Sequence, residues 1–382
     1  MFRTRLFTLL SVFLWSIVTS QAIDLSKVNL SYQYDPESDI FFDHRVVDAG
    51  DSLTVFYSVR FDTINSWNQT FLIQDHYQSM EHDTLKTYSI NVISEQPGER
   101  VYRLSMVKPK KSLLIIAWYD LNRGVYRVED VRVKTPVGFP AFYPADEEGM
   151  PVLKDYVSSE VVRFIGMEEY HAFQYTDNFD PADPAMGRMK PIAPSLRIDS
   201  SFMFSNQLSG MDVYSFYLVQ EDTLSQAAIT LLSCPSYFPE FRRLEELVPP
   251  LTYITTETEI NTLKGKMNKG SFENFWVNTY GSRFRAKTAI KNYYNQIERV
   301  NELFTDYKQG WKTDRGVIYL IFGKPDKVFR TEREEVWKYI SGVEFEFIRI
   351  STLFTSSMYS LKRDRSYEQT WYNRVGELRK GM

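Results

Sequence analysis

Four carboxylates in the last third of the chain, Glu298, Asp306, Asp314 and Glu335, are the side chains best placed for acid–base work. Glycoside cleavage needs two carboxyls held a fixed distance apart across the sugar bond. No spacing among these four favours one pair over another. The histidines are His44, His76, His82 and His171, all in the first half. A histidine-based triad or a zincin in the last third is therefore excluded. His76 and His82 could share a metal, but they lack a third ligand. Asp177, Asp180 and Asp183 offer oxygens to calcium without the alternating spacing of an EF-hand. Pro181, Pro184, Pro191 and Pro194 around them make a solvated loop the expected reading. The single cysteine, Cys234, follows the apolar run 227–232 and reads as a small hydrophobe at a strand end. A reactive thiolate would want a cationic or histidine neighbourhood. There is no glycine-rich phosphate loop and no G-x-S-x-G elbow. These observations lead us to expect no metal and no cofactor. Carboxylate hydrolysis survives as the enzymatic route, and a non-enzymatic protein is the stronger expectation.

The string Gly310-Trp311-Lys312-Thr313-Asp314-Arg315-Gly316 is the most distinctive in the sequence. Two glycines bracket a turn. Gly310 reads as the left-handed residue after a helix, and Trp311 offers a large surface to anchor the turn on a core. Thr313 and Asp314 can accept backbone N–H bonds. The same loop could instead present Asp314 and Arg315 to a ligand, since loops at element ends carry sites. Both readings stay open. Lys312, Arg315 and Lys324 are the cations expected to make contact in the second.

The elements that must hold this turn follow from periodicity. Leu53, Val55, Tyr57, Val59 and Phe61 alternate with more polar residues, the period of a half-buried strand. The solid apolar run 112–119, a turn at 120–124 and alternation over 125–133 read as a hairpin. Short strands over residues 23–135 suggest a β-sandwich. The breakers Pro136, Gly138, Pro140, Pro144, Gly149 and Pro151 mark a connection. A second β-rich domain spans 136–238, its best strands at 161–165, 201–204, 211–220 and 227–232. After Pro239 helices begin, with a start at Thr255, Thr256 and Glu257. The clearest helix runs from Arg285 to Phe304, with Ile290, Tyr294, Ile297, Asn301 and Phe304 on one face. Val317 to Phe322 reads as a buried strand. Residues 336–340 and 343–350 make a hairpin about Ser341-Gly342, and Tyr367, Trp371, Val375 and Leu378 are helically spaced. The fold class is mainly β with a C-terminal α+β domain: β-sandwich-like N-terminal modules, then helices and a small antiparallel meander.

The heptad, with Pro250-Leu251-Thr252-Tyr253-Ile254, Phe275-Trp276, Tyr293-Tyr294 and Asn301 before it, resembles the signature of the GWxTD-domain family of exported bacterial proteins. Ile318-Tyr319-Leu320-Ile321-Phe322-Gly323-Lys324-Pro325, Glu335-Val336-Trp337-Lys338-Tyr339 and Trp371-Tyr372 continue the resemblance over 239–382. Leu378 stands where relatives tend to carry a Trp. The resemblance implies an exported protein and transfers no activity.

Charge and targeting bear on function. Residues 241–382 hold 25 Lys and Arg against 18 Asp and Glu, a net of +7; the other 240 residues hold 20 and 31, a net of −11. No Lys/Arg run is dense enough for a nucleic-acid stripe. Arg3 and Arg5, the apolar run 6–18 and Ser20-Gln21-Ala22 form a cleavable signal over residues 1–22. No cysteine follows it, which argues against a lipoprotein, and no later run suggests a membrane span. The expected protein is periplasmic or outer-membrane-associated. Its expected role is to bind another envelope protein or an anionic envelope polymer, the alternative being carbohydrate- or peptidoglycan-directed binding or hydrolysis.

Overall fold

The computed structural model describes residues 24–61, 67–79, 81–176, 179–188, 197–355 and 358–381. The expected signal segment 1–22 lies outside the described residues.

Residues 40–132 form two packed antiparallel sheets. Strands β1 (Ile40–Asp48), β2 (Ser52–Phe61), β3 (Trp67–Gln74), β4 (Asp83–Thr84), β5 (Tyr88–Gln96), β6 (Glu99–Val107), β7 (Leu113–Asp120) and β8 (Val125–Arg132) assemble in the orders β1-β2-β6-β5 and β4-β3-β7-β8. Leu53, Val55, Tyr57 and Val59 of β2 meet Leu114, Ile116 and Trp118 of β7 between the sheets. The β7–β8 hairpin closes on Asp120 opposite Val125, as the turn at 120–124 required. The unbroken apolar run in β7 has a simple cause. Leu114, Ile116 and Trp118 fill the sandwich, while Leu113, Ile115 and Ala117 point the other way into a second core. A strand buried on both faces has no polar side to alternate.

The second β region has β9 (Tyr143–Ala145), β10 (Tyr156–Val157), β11 (Val161–Ile165), β12 (Tyr170–Tyr175), β13 (Ser200–Phe204), β14 (Gln207–Ser209), β15 (Phe216–Gln220) and β16 (Ile229–Ser233). They form a five-stranded sheet, β10-β16-β15-β12-β13, and a three-stranded one, β14-β11-β9. The strand expected over 211–220 begins only at Phe216. β15 and β16 are again buried on both faces: Tyr217, Val219, Ile229 and Leu231 inward, Phe216, Leu218 and Leu232 toward Phe179, Tyr307 and Phe354.

The C-terminal module carries α1 (Leu244–Leu247), α2 (Glu257–Lys266), α3 (Lys269–Tyr280), α4 (Arg283–Phe304), α5 (Asp314–Phe322) and α6 (Glu368–Lys380), with the meander β17 (Lys327–Arg330), β18 (Glu334–Lys338), β19 (Glu344–Ile350) and β20 (Met358–Leu361). Thr256 opens α2 with a capping box to Glu259. One expectation is overturned here: Val317–Phe322 is helix, not strand. Thr313 caps the helix, and Val317, Ile318, Tyr319, Leu320 and Ile321 are all buried. A helix packed all round is apolar all round, and a run of six cannot be told from a buried strand by period.

Residues 24–34 lie along this module. Leu30 N–H donates to the Val328 carbonyl (2.9 Å), and Val328 N–H donates to Asn29 Oδ1 (2.9 Å). Leu25, Leu30 and Tyr34 share one core with Ile115 of β7, Trp276 of α3, Trp311, and Trp337 of β18.

Candidate functional site

The 310–316 turn is a clasp between α4 and α5. Asn301, fully buried on α4, accepts from Trp311 N–H (3.2 Å) through Oδ1 and donates to the Pro239 carbonyl (3.2 Å) through Nδ2. The one polar residue on the α4 face is thus the anchor of the turn. Gly310 N–H donates to Thr305 Oγ1 (2.9 Å). Gly310 sits in a short 3-10 turn (Gly310–Lys312) and is not left-handed, contrary to the expected helix end. Its glycine is required by closeness instead: a Cβ there would stand 2.1 Å from the Val300 carbonyl oxygen. Trp311 is 2% exposed, its indole N–H donating to Gln309 Oε1 (2.6 Å). Thr313 Oγ1 donates to the Gly310 carbonyl (2.8 Å) and accepts Gly316 N–H (3.1 Å), which closes the loop and caps α5.

Asp314 opens α5, where a negative charge suits the helix dipole. Its carboxylate accepts Leu361 N–H (2.8 Å) and pairs with Arg363 (2.5 Å). Arg363 also donates to the Asp183 carbonyl (3.0 Å). The described part of the proline-rich loop, 179–188, is docked here, not solvated as expected. Ala182 N–H donates to the Lys312 carbonyl (3.0 Å), Tyr253 Oη to the Ala182 carbonyl (2.9 Å), and Ala185 is fully buried. Of the calcium candidates, Asp177 lies outside the described residues, and Asp180 and Asp183 sit in this docked loop. Among the described residues no group of three His, Cys, Asp or Glu could hold a metal.

Arg315, 19% exposed, reaches into a buried ionic hub centred on Arg330. Arg330 donates to Asp130 (2.6 Å), Glu335 (2.7 Å), Tyr34 Oη (2.9 Å) and Gln33 Oε1 (3.0 Å). One side chain thereby ties the sandwich, the meander and the 24–34 segment together. Arg315 donates to Tyr34 Oη (3.1 Å) and lies 4.2 Å above the Tyr359 ring. Glu335, fully buried, also accepts Trp337 Nε1–H (2.8 Å). Burial alone would raise its carboxyl, but Arg330 and Arg315 outweigh burial and hold it below the usual value. Beside the hub, His44 meets Glu129 (2.9 Å). Burial opposes a charge on His44, yet the Glu129 bond, with Asp130 and Asp43 near, raises its pKa.

The remaining two candidate carboxylates, Asp306 and Glu298, are both raised. Asp306 is pushed up to about 6 by burial, against the pull of Lys308, and serves a turn by accepting Lys308 N–H (3.1 Å). Glu298 is raised by burial and by Glu240 and Glu302 nearby. The Cys234 thiol is buried and raised well above its ordinary value, the reverse of an activated nucleophile. Trp276 and Trp311 are core residues, so neither offers a ring to a sugar.

A cleft of roughly 1,150 Å³ runs beside the clasp, between the second β region and the C-terminal module. Trp311, Lys312, Tyr253, Tyr214 and Met267 form part of its wall; among the described residues, Tyr214 and Met267 are the non-glycine residues with positive φ, 65° and 33°. Met267 ends α2 in the left-handed region. Tyr214 is held by its hydroxyl on Glu246 (2.8 Å).

The structure therefore brings Gly310, Trp311, Thr313 and Gly316 into one knot, sends Asp314 to Arg363 and Arg315 to the hub, and buries Lys312. Lys324 alone stays at the surface, paired with Asp35 (2.6 Å). Lys312 and Arg315 are thus not the rim cations the sequence suggested. Sequence reasoning missed Arg330, Asp130, Tyr34 and Arg363. Arg330 and Glu335 face each other across β17 and β18, a register that no single strand discloses.

The family model described as GWxTD domain matches residues 215–380, reaching back to include β15 and β16. Among curated proteins none matches. Among solved structures, the crystal structure of DIP-gamma IG1+IG2 is similar at 12% identity and a TM-score of 0.16, over 52% of this chain and 98% of that one.

Proposed function

We propose, from the premise that residues 215–380 form a GWxTD domain, that this is a non-enzymatic exported envelope protein whose C-terminal module binds an acidic macromolecular partner. One observation carries the reading. The groups of the signature turn able to do chemistry, Thr313, Asp314 and Arg315, are spent on capping, a buried ion pair and the hub. The cations left at the surface of the module are therefore the groups free to meet a partner. With Arg3 and Arg5 removed in the signal, residues 23–240 carry 18 basic and 31 acidic residues, a net of −13, and this split against +7 steers an acidic partner to one end of the molecule. Among the described residues no helix is long and apolar enough to cross a membrane.

Two measurements test this. Amino-terminal sequencing of protein from the periplasm is expected to begin at Ile23; an uncleaved Met1 would sink the export reading. Chemical cross-linking of envelope fractions is expected to give a discrete adduct whose yield falls as salt rises. Hydrolysis of peptidoglycan by the purified protein, abolished by Asp306→Asn, would replace binding with catalysis.

A further inference from the structure

We propose that the groove between α4 and α6 is the docking site, and that its occupant is an acidic amphipathic peptide segment of the partner. This rests on the partner-binding reading above and specifies its surface. The groove encloses roughly 650 Å³. Its apolar walls include Ile254, Tyr280, Leu320 and Leu378, and its charged lining residues are Arg285, Arg374 and Lys380, with no Asp or Glu among the described residues that line it. Phe284 stands at the edge, 83% exposed.

The neighbouring cations have no structural employment. Arg283, Arg285, Lys287 and Lys291 occupy the first half of α4, and no ion pair or side-chain hydrogen bond joins them to a described residue. Arg283 and Arg285 lie in the first turn, where cations are disfavoured. Helix α2 does the opposite, with Glu257 and Glu259 in its first turn and Lys264 and Lys266 in its last. Phe284, Lys287 and Lys291 fall at i, i+3 and i+7, a stripe beside the groove-facing Ala289, Asn292, Tyr293 and Gln296.

The combination selects the occupant. A plain polyanion would be served by the cations and gains nothing from an apolar floor or from Phe284. A bilayer is too flat to enter a concave groove. An amphipathic helix uses both features, apolar anchors at i, i+3, i+4 and i+7 on the floor and carboxylates toward the rim. Arg374 is partly engaged, with the Ile321 carbonyl (3.0 Å) and Glu377 (2.9 Å), so Arg285 and Lys380 carry most of the rim charge.

The test titrates the full mature chain with a fluorescent amphipathic peptide of leucine and glutamate. It is expected to bind, and to bind about tenfold or more weakly after Phe284→Asp or after Arg285→Glu with Lys380→Glu. Both variants are expected to keep the wild-type thermal midpoint, because these side chains are exposed. A leucine–lysine peptide is expected to prefer the charge-reversed variant. Equal binding of polyglutamate, sedimentation with phosphatidylglycerol vesicles lost in the same variants, or no binding of the leucine–glutamate peptide would each overturn the groove. Photo-cross-linkers at Phe284 and at the distant, 88% exposed Leu224 separate the two levels in cells. A partner trapped only at Leu224 removes the groove and leaves partner binding standing, whereas none at either position and none by chemical cross-linking removes both.

Discussion

Gly316 lies so close to Gly310 that a Cβ at 316 would sit 1.9 Å from the Gly310 carbonyl oxygen. That carbonyl also accepts from Thr313 Oγ1 and Thr313 N–H (3.0 Å). The two glycines therefore act as one contact, and no neighbour at that point is a flexible side-chain tip able to give way. We expect Gly316→Ala to destabilise the module by more than the ~1–3 kcal/mol of ordinary overpacking. Thr313→Ala is expected to cost about 1 kcal/mol, as for other lost N-caps, and Thr313→Ser much less. Urea denaturation measures all three; a Gly316→Ala midpoint equal to wild type would show that the turn opens freely.

The architecture of the turn is partly legible in the residues themselves. Trp311 as anchor, Thr313 as acceptor and the buried face of α4 follow from residue type and spacing. The helix α5 did not, because Val317–Phe322 is apolar on every side and period carries no information there. The hub was invisible for a different reason. Arg330, Asp130 and Tyr34 are far apart in sequence and are joined only by the packing of β17 on β8 and the 24–34 segment. A surface arginine and a buried one look alike in sequence, so residue type alone leaves open whether Arg315 is a contact or a strut.

Because Arg330 is shared by Asp130, Glu335 and Tyr34, truncating it takes from two buried carboxylates their closest cation, leaving Asp130 with Tyr77 and Glu335 with Arg315 at 3.6 Å. Arg330→Met is expected to cost about 3–5 kcal/mol, the usual penalty for removing one partner of a buried pair. Arg315→Glu, which places a third carboxylate beside Glu335, is expected to unfold the module rather than to tune binding. Circular dichroism of the purified variants decides this. A stable Arg315→Glu protein would return Arg315 to the list of contact residues.

The hub also sets an acid limit. Glu335 has a folded pKa below its ordinary 4.5, so its stabilisation is complete above that value and is lost as pH falls through the folded pKa. Wild type is expected to lose stability steeply below about pH 4.5, and Glu335→Gln to start lower but show a flatter acid limb. Parallel slopes in urea titrations at several pH values would exclude Glu335 as the source.

His44 contributes with the opposite sign. Its folded pKa is raised above the ordinary 6.5, so while Glu129, itself raised by burial, stays ionised, the stabilisation from the His44–Glu129 pair is complete below that value and disappears as pH rises through the folded pKa. The NMR titration of the His44 ring is expected to centre above the ordinary value in the wild type and to fall after Glu129→Gln. A ring that titrates at the same pH in both proteins would show that Glu129 is not the cause.

Trp311 tests whether the clasp is core or surface. Only 2% of it is exposed, with Tyr253 edge-on at 6.4 Å and Lys312 above the ring. Trp311→Ala should therefore cost about 3–5 kcal/mol, the range for a buried Trp. Asp314→Ala probes the neighbouring bond set instead. It leaves the Trp311 core intact but deprives Arg363 and Leu361 N–H of their acceptor, and Arg363 is what holds the Asp183 carbonyl. Hydrogen exchange at the amides of Ala182 and Asp364, which bond across the docked loop to Lys312 and Ala185, is expected to quicken in Asp314→Ala while the amides of α4 keep wild-type protection. If the α4 amides quicken equally, Asp314 supports the whole module; if neither set changes, the loop is held by Tyr253 and Ala185 without help from the signature turn.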